Sequence, residues 1–81
     1  MGRVIVEFPD CREVLCDGRS QGNNRNDEGK YQELIIGNGF HTFRLGGDAN
    51  YTPASQPFEV TDEGNIISPH RIVFTKKGLN P

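Results

Sequence analysis

With 81 residues the chain has the size of one small domain, near the length at which a single core barely offsets chain entropy. Its formal charge of −2, from 9 basic and 11 acidic side chains of interspersed sign, offers no field that would favour nucleic acid or an acidic membrane surface. Mean hydropathy is low at −0.63, but the apolar residues are gathered into short runs, which points to folding with polar connections rather than to disorder.

In chain order, Arg3 to Phe8 alternates, with Val4, Val6 and Phe8 on one face and Arg3, Ile5 and Glu7 on the other, the pattern of a half-buried strand. Pro9 and Asp10 interrupt it, and Glu13 to Cys16 resumes with Val14 and Cys16 inward before Asp17-Gly18 turns the chain. Asp17 is read there as a turn residue bonding its own local backbone. Arg19 to Lys30 contains no apolar side chain and predicts a long exposed loop. Its oxygen-rich residues Asn23, Asn24, Asn26, Asp27 and Glu28 match no calcium-loop spacing, so a solvated loop is expected.

Asn38-Gly39 lies between two extended runs, the pairing that a type I′ hairpin turn favours because both central residues need φ > 0. A two-residue loop there predicts Ile36 opposite His41 and Leu34 opposite Phe43, with Glu33 facing Arg44 across the other side. Leu34, Ile36, His41, Phe43 and Leu45 then share the core face. Further on, Phe58 to Thr61 and Arg71 to Thr75 read as strands, separated by the turn cluster Asp62-Glu63-Gly64-Asn65. No segment shows helical periodicity. The expected architecture is all-β: a small antiparallel β-sandwich of six to seven short strands, prealbumin-like, over residues 1–76, with 77–81 a flexible tail.

The run Pro9-Asp10-Cys11-Arg12-Glu13-Val14-Leu15-Cys16-Asp17-Gly18, followed by Gly22, resembles the PEGA-type domain pattern, a tetrapeptide before a strand ending in Asp-Gly. Gly39-Phe40-His41-Thr42-Phe43-Arg44-Leu45 and then Tyr51-Thr52-Pro53 resemble the same family's later strand and aromatic-x-Pro loop. The name-giving tetrapeptide stands here as Pro-Asp-Cys-Arg, and the 19–30 segment is long for the family. The resemblance implies a prealbumin-like or carboxypeptidase-regulatory-like β-sandwich serving as an accessory module. It offers no catalytic residues to carry over.

Cys11 and Cys16 lie about 16 Å apart along an extended strand, beyond disulfide reach, and read as free thiols. Neither the cysteines nor His41 and His70 fall in a catalytic or metal-ligand spacing, so no catalytic residue, cofactor or metal is expected and the chain is read as no enzyme. The remaining class is binding: a non-enzymatic interaction or structural module, or alternatively a small-ligand or carbohydrate-binding accessory module. Arg25 and Tyr31 are the candidate anchors for a protein partner, since Arg and Tyr dominate interface hot spots, and Tyr51 for a carbohydrate or protein face. Against the last, the favoured reading of Tyr51 is that it plugs the open end of the sandwich. Self-association through a strand edge is the other partner reading, with Pro57, Lys76 and Lys77 as edge guards. No apolar run reaches the length of a membrane span or secretory leader, so a cytoplasmic, unanchored protein is expected.

Overall fold

In the computed structural model, which describes residues 1–77, the chain is all-β with no helix among the described residues. Nine short strands run in order: β1 (Gly2–Glu7), β2 (Glu13–Cys16), β3 (Arg19–Asn23), β4 (Leu34–Ile36), β5 (Gly39–Leu45), β6 (Tyr51–Thr52), β7 (Gln56–Val60), β8 (His70–Val73) and β9 (Thr75–Lys76). They form one sheet of order β4-β1-β8, a second of order β3-β2-β5-β7, and a β6-β9 pair. No helix of the described residues is long and apolar enough to cross a membrane.

The alternation of β1 places Val4, Val6 and Phe8 in the core, fully buried or nearly so, as expected. Ile5, assigned to the outer face, is buried as well, because β1 is the central strand and its outward side chains are flanked from both sides. Sheet one meets sheet two through Val4, Val6, Leu34, Ile36 and Ile72 on one side and Val14, Cys16, Phe43, Leu45 and Val60 on the other, with Phe8, Tyr51 and Phe74 completing a single buried cluster. One ladder departs from the antiparallel expectation: β1 runs parallel to β8, pairing Val4 with His70 and Val6 with Ile72.

The hairpin expected at Asn38-Gly39 does not form. Leu34 and Ile36 pair with Val4 and Gly2 of β1, whereas Phe43 and Leu45 pair with Cys16 and Val14 of β2. Only Gly39 takes a positive φ there (126°), so the two-residue I′ geometry is absent and the segment crosses from one sheet to the other. Alternation fixes which side chains point inward, and both sheets point inward at the same core, so the face was right and the partner wrong. Glu33 accordingly meets Arg3 at 3.5 Å instead of Arg44.

The I′-type turn lies at Asp17-Gly18, where both residues have positive φ (53° and 83°) and Cys16 pairs directly with Arg19. The strand beyond it, β3, is the first half of the segment expected to be a loop. It is an exposed edge strand, and with neither face buried it has no apolar period to read. Asn24, placed by the same expectation in solvent, is fully buried: its side-chain oxygen accepts the Arg12 amide at 2.7 Å and its amide nitrogen donates to the Asp10 carbonyl at 3.2 Å. Lys77, expected to begin the tail, donates its amide to the Asn50 carbonyl at 3.0 Å, and residues 78–81 lie outside the described residues.

Candidate functional site

Chemistry-bearing side chains converge at the β2–β3 turn. Strand alternation points Cys16 into the core, and the left-handed φ of Asp17 then swings its carboxylate back across β2 toward β5. Asp17 Oδ1 accepts the Thr42 amide at 2.9 Å, and its own amide donates to the Thr42 carbonyl at 2.8 Å. Asp17 therefore bonds a strand 25 residues away rather than its local backbone, the correction to its reading as a simple turn residue. Oδ2 lies 2.6 Å from His41 Nδ1, and His41 Nε2 lies 2.7 Å from the Gly37 carbonyl. The sulfur, a carboxylate oxygen and a ring nitrogen of these three residues all fall within 4.8 Å of one another.

The electrostatics follow from those partners. Both ring nitrogens of His41 face oxygen acceptors, an arrangement that favours the doubly protonated ring. The Asp17 bond, and after it the Gly37 carbonyl, raise the His41 pKa against the opposing effect of burial. The His41 bond, and after it the Thr42 amide, lower that of Asp17. Burial, with the Asp17 charge second, pushes the Cys16 thiol up. Both shifts favour the protonated forms of His41 and Cys16, the opposite direction from the depressed thiol pKa of an activated cysteine. His41, expected on the core face, does point to that side but is only half-buried, with the side chain 21% exposed beside a cleft of about 440 Å³ whose walls include Arg19, Gln21 and Ile35.

Ile35 also borders a second, more apolar cleft of about 540 Å³, formed with Met1, Arg3, Gly64, Ile66 and Ile67. Ile66 and Ile67 are 66% and 94% exposed, an unusual state for two consecutive isoleucines. Asn65 enforces it: its side-chain oxygen accepts the amides of Ile67 (3.0 Å) and Ser68 (2.9 Å), closing a turn that holds both side chains outward.

The three residues singled out from sequence all make intramolecular contacts. Arg25 and Tyr31 do come together, with the guanidinium 4.2 Å above the ring and bonded to the phenol at 3.0 Å. Both turn inward onto the Phe8 carbonyl, Arg25 at 3.2 and 3.0 Å and Tyr31 at 3.3 Å, so they close the loop onto the end of β1. Tyr51 is buried edge-on to Phe8 and Phe74, and its hydroxyl accepts the Leu45 amide (3.1 Å) and donates to the Leu45 carbonyl (2.8 Å). It plugs the sandwich and presents no ring to a ligand. Sequence reasoning missed Asp17 as a long-range partner of His41, a link that the turn alone does not reveal. It also passed over Ile66-Ile67, whose signal is the position of two isoleucines just after a turn cluster. No family model, curated protein or solved structure matches the chain.

Proposed function

We propose that the domain is a non-enzymatic interaction module that docks an extended segment of a partner protein along the β4 edge, seating an apolar side chain in the cleft of Met1, Ile35, Ile66 and Ile67. The observation that carries this reading is the Asn65 turn, which holds two isoleucines in solvent beside that cleft. Supporting it, β4 is the outer strand of its sheet, with an unpaired backbone edge of the kind that takes up an extended peptide, and its Ile35 side chain lines the cleft. The raised pKa values of Cys16 and His41, which disfavour a thiolate and a free imidazole base, and the resemblance to PEGA-type accessory modules favour binding over catalysis.

Selection of random peptides on the immobilised domain tests the proposal. Extended apolar peptides are expected to be recovered, and their affinity to fall at least about tenfold with Ile67→Asp or Ile35→Asp, since burying one isoleucine contributes about 1.5 to 3 kcal/mol. Val73→Asp, on the opposite edge strand β8, leaves affinity unchanged. Equal losses from all three variants, or a concentration-dependent dimer that Ile67→Asp abolishes, would overturn the reading, the latter by assigning the cleft to a second copy.

A further inference from the structure

We propose that Cys16, Asp17 and His41 form a Zn²⁺-binding site with three protein ligands, Sγ, Oδ2 and Nδ1, and a fourth coordination position open to the cleft between β3 and β4. Sulfur, imidazole nitrogen and carboxylate oxygen are the donor types zinc takes, and their mutual separation of at most 4.8 Å is near what one ion spans. Zinc bonds of about 2.0 to 2.3 Å set the edges of a tetrahedron at about 3.4 to 3.6 Å. The His41–Asp17 pair, drawn to 2.6 Å by a shared proton, opens by about 1 Å to admit the ion.

What distinguishes the cluster from a chance meeting of side chains is the orientation of its outer bonds. Ligating histidines almost always donate the other ring N–H to a carbonyl or carboxylate, and ligating carboxylates are themselves hydrogen-bonded. His41 donates Nε2–H to the Gly37 carbonyl, which leaves Nδ1 as the inward atom. Asp17 spends Oδ1 on the Thr42 amide, which leaves Oδ2 free for the same point. The left-handed backbone at Asp17 is what lets residues 16 and 17, neighbours in a chain whose strand side chains alternate, face one point together. Binding releases two protons, one from the Cys16 thiol and one from His41 Nδ1, and the thiolate and carboxylate charges neutralise the ion. Arg19 and Gln21 on the cleft wall leave the fourth position to water or an anionic oxygen.

Cobalt(II) replaces zinc as the probe, because a thiolate ligand produces an intense charge-transfer band that an oxygen or nitrogen set does not. In reduced protein carrying Cys11→Ser, Co²⁺ is expected to bind at one equivalent with that band and with the d–d intensity of tetrahedral coordination, and one equivalent of Zn²⁺ to displace it and raise the thermal midpoint. Cys16→Ser abolishes the band. Asp17→Asn, which keeps the residue tolerant of a left-handed backbone and keeps an oxygen for the Thr42 amide, retains the backbone amide NMR pattern and weakens Co²⁺ at least about tenfold. His41→Gln weakens it by a similar factor. Absence of the band in the Cys11→Ser protein, its persistence in Cys16→Ser, or unchanged affinity in the folded Asp17→Asn variant each overturns the proposal.

Discussion

Pairing of β4 with β1, rather than with β5, is open to a direct covalent test. Arg3 and Ile35 are register partners whose side chains lie on the outer face of the first sheet. The Arg3 amide points away from β4, to the Gly64 carbonyl at 3.1 Å, as in a non-hydrogen-bonded pair, where Cα atoms approach to about 4.5 Å. That separation lies within disulfide reach. In a Cys11→Ser background, Arg3→Cys with Ile35→Cys is therefore expected to oxidise readily to a bond between these positions. Closing a loop of about 33 residues gives about 3.7 kcal/mol from chain entropy, and native strain brings the expected gain to about 2 to 4 kcal/mol. With a urea slope of about 1 kcal/mol per molar for a domain this small, the midpoint moves by about 2 to 4 M between reduced and oxidised forms of the same variant. Loss of the Arg3–Glu33 ion pair cancels in that comparison. The control is Ile35→Cys with Thr42→Cys, the pair a hairpin at Asn38-Gly39 would set face to face. Ready oxidation of the control, with none between positions 3 and 35, would refute the pairing.

Other expectations concern turns, charge and core. Gly18→Ala, at φ 83° with nothing near the added methyl, costs about 1 to 2 kcal/mol from conformation alone, whereas Gly37→Ala, at an ordinary φ in open space, is neutral or stabilises by up to about 1 kcal/mol; urea titration separates them. His41 has a raised folded pKa, so its contribution is complete below its ordinary value of 6.5 and is lost as pH rises through the folded value. Asp17 has a lowered one, so its contribution is present above 3.8 and is lost as pH falls through the folded value. The difference in thermal midpoint between the parent and His41→Gln is thus expected to be greatest between pH 3.8 and 6.5 and to shrink above it; a difference that widens with alkaline pH contradicts the ion pair. Phe43→Ala, fully buried between the sheets, costs about 3 to 5 kcal/mol, against under about 1 kcal/mol for exposed Thr42→Ala, and similar midpoint shifts for the two would mean the faces are exchanged.

The core was legible wherever a strand had one wet and one dry face, because alternation alone reports that boundary. Val4, Val6, Phe8, Val14, Cys16, Leu34, Ile36, Phe43 and Leu45 are all buried, as their spacing predicts. Alternation carries no information on pairing, so β4 could be assigned to the wrong sheet without misplacing one inward side chain. Nor does it register β3, which is polar on both faces. Asp-Gly and Asn-Gly both carry the I′ signal, and long-range partners decide between them: β4 finds β1 and β5 finds β2, whereas β3 has no partner but β2 among the described residues. The candidate sites were less legible still. His41 was visible as a residue, but its bond to Asp17 depends on a backbone angle and on the β2–β5 register, and the plug position of Tyr51 is fixed only by its hydroxyl bonds to Leu45.

The parallel ladder between β1 and β8 bears on how the protein comes into being. β1 is the middle strand of its sheet, yet one of its two neighbours lies near the other end of the described chain. During synthesis at about 5 to 20 residues per second, Val4, Val6 and Phe8 emerge first and wait several seconds for Ile72 and Phe74 before their side of the core can close. That side of the core therefore closes late, after the segments of the second sheet have already been made, and β1 is the strand whose inner face stays open longest.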